Sequence, residues 1–502
     1  MTPSAQRKSP RPASTLVVAV AWTLLGLAGS LLLTLAGSRL GGGSVTWWFD
    51  PRLGATKGTE RVFFYIGVGL LIAAWLGLGT LARTPRLAPR GISLIAALWC
   101  LPLALGAPLF SRDIYSYLAQ GTIAHLGLSP YHVPPAVLGR LGQTHVLGAV
   151  DPFWRHVTAP YGPLFLGVIS LIVSATGQHL VAGALAIRGF DLIGLLLLAM
   201  FVPRLARRLS ADPARAVWFA VASPLVLLQL VAPAHNDLLM AGLMLAGVSL
   251  AADGHPLLGI AVCALAATIK LPAIVAVAFV SAVWIRSETE WRDRALRAAA
   301  AGVVTAGVLG VVTLVTGFGL GWVSSGLFST PARVHLALTP ATDISWTAVK
   351  LLHDAGLSAS FHAVDSVLRA VMFAASALLA LVLLWRARLT NFVFCLGLAL
   401  VGFAIAGPAL WPWYLSWGLV LLAVSPRGQA SWLVVAALAV GAVLVKPGGI
   451  LALPLGSSPV VACLWLALWI FILYRARRRR RPDLAAGRAD GLGSARSALA
   501  ER

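Results

Sequence analysis

A chain of 502 residues in which 59% are hydrophobic and only 11% charged cannot coat itself as a soluble protein does. Its formal net charge of +22 sits in short connections between apolar runs and in a terminal tail. That placement sets nucleic acid aside as a partner and points to membrane lipids instead.

Apolar runs long enough to cross a bilayer, about 17–25 residues, recur along nearly the whole sequence. They predict an all-α polytopic membrane protein with about fourteen helical spans. The first run, 15–38, follows Arg7, Lys8 and Arg11 and lacks a small-residue cleavage site. Residues 1–14 therefore read as a cytoplasmic segment ahead of an anchor. With lysine and arginine marking the cytoplasmic side, Arg83, Arg86 and Arg90 fall inside. So do Arg204, Arg207, Arg208 and Arg215, then Arg286, Arg292, Arg294 and Arg297, then Arg386 and Arg388, then Arg427. The run from Arg475 to Arg481 closes the chain inside, and 476–502 reads as a disordered basic cytoplasmic tail lying on anionic headgroups. The connections left for the outer face are 39–61, 111–179 and 318–363.

One conflict in this count is informative. Two apolar stretches, 162–178 and 180–203, separate an outer connection from the inner arginines that follow. Two crossings would put those arginines outside, so one stretch must not cross. The shorter, introduced by Ala159-Pro160-Tyr161-Gly162-Pro163, is expected to lie at the outer interface or to re-enter. Residues 256–285 must leave and return within one short stretch, which puts Lys270 at a break near the outer side. The four cysteines, Cys100, Cys263, Cys395 and Cys463, sit in apolar runs without metal-ligand spacing and read as packing residues.

That topology gathers the unusual polar residues on one face. Asp113 and Tyr117 are four apart on one helix face beside Tyr115, at the outer end of a span; the alternative for Asp113 is a helix cap. His235, Asn236 and Asp237 join two spans outside, and a cap is the plain alternative for Asp237. Arg188 and Asp191 are three apart in an outer half-span and read as a pair, structural or functional. Trp411, Trp413 and Tyr414 form either an interfacial aromatic belt or part of a site. Lys446-Pro447-Gly448-Gly449 lies outside as well.

Five strings carry a resemblance: F-S-R-D-I-Y-S-Y-L-A-Q-G (110–121), A-P-Y-G-P (159–163), H-N-D (235–237), W-P-W-Y-L-S-W (411–417) and K-P-G-G (446–449). Together the sequence resembles the polyprenol-phosphate-mannose-dependent α-(1→6)-mannopyranosyltransferases of mycobacteria and corynebacteria, from about 15 to 475. These are multi-span GT-C glycosyltransferases that build the mannan of lipomannan and lipoarabinomannan. The resemblance implies a GT-C-like domain over 92–475, with 15–91 as accessory N-terminal spans and an interfacial helix in the external loop. It implies a catalytic acid at the position of Asp113. The donor would be polyprenyl-phosphate mannose and the acceptor a lipid-anchored mannan, at the outer face of the plasma membrane.

The residues agree with that chemistry. No Gly-rich phosphate loop follows a strand, and no segment is long enough for a nucleotide-binding domain, so a sugar nucleotide has no obvious place to bind, whereas a lipid-linked sugar could enter from the bilayer. A phosphate diester leaves readily, so one carboxylate base suffices, with cations on the phosphate. Arg188, Lys270 and His235 are expected to hold the phosphate, with Arg112 and Arg333 behind them. Tyr115, Tyr117, Tyr161, Asn236, Asp237, Trp411, Trp413 and Tyr414 are expected to position the acceptor; Trp154 and Trp346 are further stacking candidates. In-line attack on a β-linked donor would invert to an α product. No cofactor is expected, and the absence of a D-x-D-like acid cluster favours a metal-free reaction. The connection 318–363, with Arg333, His335, Asp343 and Trp346, is a candidate lid. Other classes stay open: a GT-C transferase using another lipid-linked sugar such as arabinose, a lipid or sugar transporter, or a non-catalytic assembly partner. A transporter would be expected to show internal repeats.

Overall fold

The computed structural model describes residues 12–470, apart from 42–44, 50–52, 55, 85–86, 178, 326–334 and 337. Arg86, Arg333 and the tail lie outside the described residues. Among those described, regular structure is helical, with a lone bridge between Val445 and Leu451. Six helical runs are long and apolar enough to cross a bilayer: Thr15–Gly37, Lys57–Ala82, Leu180–Arg208, Pro213–Val231, Trp291–Thr316 and Phe361–Arg386. Shorter apolar helices lie between them. The protein is an all-helical membrane protein; how many of the shorter helices complete a crossing is part of the proposal below.

The described residues fall in two compact units, drawn from Met1–Val334 with Met372–Ala452 and from His335–Val371 with Leu453–Arg502. In the first, α1 (Pro12–Gly37) and α2 (Lys57–Ala82) pack as a hairpin, and α3 (Pro89–Leu105) lies against α1. Tryptophan N–H groups fix this hairpin to the rest, because a buried indole must place its one donor. Trp99 Nε1 donates to the Thr23 carbonyl at 2.9 Å. Trp75 and Trp218 stack at 4.8 Å, and each donates to the other's carbonyl, at 3.0 and 2.7 Å.

Next come α4 (Asp113–His125), α5 (Pro163–Thr176), α6 (Leu180–Arg208) and α7 (Pro213–Ala220), then α8 (Asp237–Ala252), α9 (Pro256–Ala267), α10 (Ile274–Arg286) and α11 (Trp291–Thr316). The expected break at Lys270 is present between α9 and α10. Its freed carbonyls are taken by the start of α5: Gly162 N donates to Ile269 O at 2.9 Å and Leu164 N to Thr268 O at 3.1 Å. Gly162 has to be glycine, since a Cβ there would lie 2.1 Å from the Thr268 carbonyl oxygen. Irregular backbone at depth is tolerated only when satisfied in this way.

The basic connections meet at one end of this unit. Arg204 Nε reaches Asp253 at 2.6 Å, Arg208 donates to Ala252 O at 3.1 Å, and Arg215 to Gln429 O at 2.7 Å. Arg286 donates to Leu384 O and Ala387 O, at the end of α13 (Phe361–Arg386). On α6, Arg188 is separated from Arg208 by about 30 Å of helix. The motifs sorted to the outer side in the sequence gather at that other end.

In the second unit, α12 (Pro340–Asp354) carries Asp343 in its first turn, with both carboxyl oxygens buried. Asp365 pairs with Arg369 and lies 3.3 Å from His335 Nε2. Of the cysteines, Cys100, Cys263 and Cys395 are buried as expected of packing residues, and Cys463 is exposed.

Candidate active site

Asp113 opens α4, and its carboxylate Oδ2 lies 3.5 Å from His235 Nε2. Two left-handed non-glycine residues aim these groups: Phe110 (φ 65°) precedes the Ser111-Arg112 turn, and Ala234 (φ 58°) immediately precedes His235. Each costs energy that the surroundings must repay. Phe110 is held by its N–H, which donates to Pro447 O at 2.9 Å. This places the K-P-G-G turn, with Gly449 itself at φ 87°, directly behind the Phe110–Asp113 segment. Ala234 follows a π-helical turn, Leu227–Val231, which re-registers the chain.

His235 is fully buried, and its Nδ1 lies 2.6 Å from the Gln229 carbonyl. A carbonyl only accepts, so Nδ1 carries a proton and Nε2 faces Asp113. The ring stacks on Trp413 at 4.1 Å, and Trp413 stacks on Trp411 at 4.7 Å. Both indoles are buried, so they pack within the protein and do not form an exposed belt.

Asp237, fully buried at the start of α8, makes no capping bond. It receives Lys270 Nζ on both oxygens, at 2.9 and 2.8 Å, and the Trp417 indole N–H on Oδ1 at 2.6 Å. Lys270 Nζ also sits over the rings of Tyr414 (4.7 Å), Trp417 (5.7 Å) and Tyr161 (5.9 Å). A buried cation thus has one carboxylate and three aromatic faces to offset its desolvation.

Tyr117 meets Tyr161 and Phe165 edge-on at 5.0 Å each. Burial, with the neighbouring tyrosine and the aspartates adding to it, pushes the phenols of Tyr117 and Tyr161 well up from their usual value. They stay protonated and serve as donors, not bases. The side chains of Ser116, Gln120 and Asn236 are buried, and Asn236 has neither amide atom hydrogen-bonded. Such groups mark where a polar ligand or water is wanted.

Arg188 departs from expectation. It makes no ion pair with Asp191. Its guanidinium donates instead to the carbonyls of Ala104, Gly106 and Ala232 at 2.7, 2.8 and 2.7 Å, and it lies 5.6 Å from the Trp47 ring. It ties the end of α3 to the segment before His235, while both Asp191 carboxyl oxygens lack a hydrogen-bond partner. The reason is geometric: a carbonyl-rich break within reach satisfies three N–H groups, more than one carboxylate could. Arg112 donates to Ala149 O at 2.8 Å and braces the connection that follows α4. Trp154 packs on the small apolar cluster of Ala119, Ile123 and Leu138. Trp346 lies in the second unit, 6.0 Å from Phe361.

Residual exposure separates the charged residues of the site. His235, Asp237, Arg188 and Asp191 are 0–1% exposed, whereas Asp113 is 8% and Lys270 9%. Of these six, only the last two keep some accessible surface. Two participants had no strong sequence signal. Trp47, in the 39–61 connection but in no motif, donates from Nε1 to Tyr115 Oη at 2.9 Å. Trp417 stood inside a quoted string, but only its contact with Asp237 distinguishes it from its neighbours.

Known proteins with similar sequences point the same way. Residues 23–286 match the family profile described as alpha-(1->6)-mannopyranosyltransferase, N-terminal domain, and residues 341–476 match the MptB C-terminal domain. The chain is 32% identical to alpha-(1->6)-mannopyranosyltransferase A of Mycobacterium tuberculosis over 488 residues, 91% of this chain and 90% of that protein. It is 32% identical to a probable alpha-(1->6)-mannopyranosyltransferase of Mycolicibacterium smegmatis, over 80% of this chain and 78% of that one. Against alpha-(1->6)-mannopyranosyltransferase B of Corynebacterium glutamicum the identity is 28%, over 80% and 73%. No solved structure matches significantly.

Proposed function

The chain belongs to the alpha-(1->6)-mannopyranosyltransferase family and is a mannosyltransferase, and on that premise we propose that it uses polyprenyl-phosphate mannose as donor and a growing α-(1→6)-mannan of lipomannan or lipoarabinomannan as acceptor. The reaction takes place at the outer face of the plasma membrane, with both termini cytoplasmic and about fourteen crossings. The helix Pro163–Thr176, about 21 Å long, is the non-crossing element.

Asp113 is the base. It takes the proton of the acceptor 6-hydroxyl as that oxygen bonds to the anomeric carbon, and the bond from this carbon to the phosphate oxygen breaks. Polyprenyl phosphate leaves as the anion, and a β-linked donor gives an α-linked product by inversion. The observation that carries this reading is the residual exposure of Asp113, whose carboxylate lies 3.5 Å from Nε2 of the fully buried His235.

Lys270 keeps an N–H for the leaving phosphate beyond those given to Asp237, and His235 sits against the base. Arg188 supports this end through the three carbonyls it holds. Tyr115, Tyr117, Tyr161, Asn236, Trp411, Trp413 and Tyr414 shape the acceptor groove. Purified protein given polyprenyl-phosphate mannose and a short α-(1→6)-mannoside should lengthen the acceptor by α-(1→6)-mannose. Transfer from polyprenyl-phosphate arabinose, with none from the mannose donor, would replace the donor assignment.

A further inference from the structure

A cavity of about 680 Å³ lies far from Asp113, where the connection after α10 meets the one between α13 and α14 (Phe392–Ala406). Arg286, Arg294, Arg386 and Arg388 line it, and no carboxylate does. Two of these arginines are already committed. Arg286 donates to the carbonyls ending α13, and Arg294 Nε to Glu288 O at 2.8 Å. The guanidinium groups of Arg386 and Arg388 form no hydrogen bond or ion pair among the described residues, and both are exposed. Four cations turned toward one concavity repel one another, so the arrangement favours an anion.

The surroundings say which kind of anion. The cavity sits between the start of α11 and the end of α13, two of the runs long and apolar enough to cross a bilayer. Their outward apolar side chains are bare: Val303 is 71% exposed, Leu314 82% and Leu378 62%. At the rim, Trp385 is 77% exposed and Leu389 62%. Bare helix faces of this kind accept acyl chains, and an exposed tryptophan beside arginines is the pattern of the headgroup level.

We propose that this cavity binds the phosphate headgroup of an anionic phospholipid of the inner leaflet, held by Arg386 and Arg388, with its acyl chains along α11 and α13. The volume is that of a small-ligand site, and basic pockets between membrane helices recognise headgroups in this way. A free phosphate ion would use the same guanidinium groups but gain nothing from the apolar faces.

The test is native mass spectrometry of the whole protein, released from nanodiscs of phosphatidylcholine with and without phosphatidylglycerol. Wild type should retain phosphatidylglycerol. The double variant Arg386→Gln/Arg388→Gln should bind it roughly 30-fold more weakly, about fivefold for each charge removed. Arg386→Lys/Arg388→Lys should stay within a few-fold of wild type, and Arg90→Gln, at the start of α3, should not change retention. Undiminished retention by the glutamine variant would overturn the proposal. So would loss of the lipid to inorganic phosphate at matching concentration, which would make this a soluble-anion site. Neither result depends on mannosyl transfer.

Discussion

The two ends of the first unit use charge in opposite ways. At the Asp113 end, cations are buried and each is answered by a group of the protein: Lys270 by Asp237 and three aromatic faces, Arg188 by three carbonyls. At the arginine end several are exposed, and the guanidinium groups of Arg386 and Arg388 have no hydrogen bond or ion pair among the described residues. The first arrangement costs desolvation and returns geometric definition; the second costs little and defines little. Left-handed backbone occurs at both ends: Phe110 and Ala234 lie beside the proposed chemistry, and Ser210 lies in the basic connection after Arg208.

The comparison breaks most visibly at Asp237. Asp237→Ala leaves Lys270 buried without its carboxylate and is expected to cost about 3–5 kcal/mol of stability. Thermal unfolding in detergent reads this, and an unchanged midpoint would mean that the aromatic faces alone carry the cation.

The second unit offers the same rule in reverse, with a buried acid, Asp343, that has no ion pair among the described residues. Burial pushes Asp343 up to about 7 from an ordinary 3.8, and Ser458 only partly offsets it. The folded chain therefore holds this proton where the unfolded chain has lost it. Its destabilising effect is absent below the ordinary value, grows between the two, and is fully present above about pH 7. Asp343→Asn should raise the unfolding temperature above that pH and leave it unchanged in acid. Equal effects at both would remove the titration account.

Trp47→Phe keeps the ring and deletes one donor to Tyr115. It should cost about 1 kcal/mol in transfer, roughly fivefold in kcat/KM, with little change in unfolding. A loss seen only in stability would make Trp47 a packing residue. At the other end, Arg204→Gln breaks the pair with Asp253, in which Arg204 is about half exposed. Solvent screening limits that effect to roughly 0–1 kcal/mol.

Much of this was legible in the sequence because membrane burial makes polar residues conspicuous. Composition gave the class, and arginine placement sorted the connections into the two sets that meet at the two ends. The strings around Asp113, His235, Lys270 and Trp413 converge, as their common side implied. Partnership was less legible. Arg188 and Asp191 look paired at helical spacing, yet the carbonyls of Ala104 and Gly106, more than 80 residues away, take the guanidinium. Asp237 had a cap as its plain alternative, but it makes no capping bond, and its partner is a lysine 33 residues on. Backbone sign at Phe110 and Ala234 has no sequence signature at all, since neither residue type favours φ > 0.

In the proposed reaction Asp113 removes the acceptor proton, the buried His235 sits against it, and Lys270 meets the leaving phosphate. Asp113→Asn keeps the size and position of the side chain and deletes the base. Transfer from polyprenyl-phosphate mannose to an α-(1→6)-mannoside should then fall by about 10²–10⁴-fold, with donor binding and unfolding temperature close to wild type. Near-wild-type transfer by a folded Asp113→Asn protein would contradict the account.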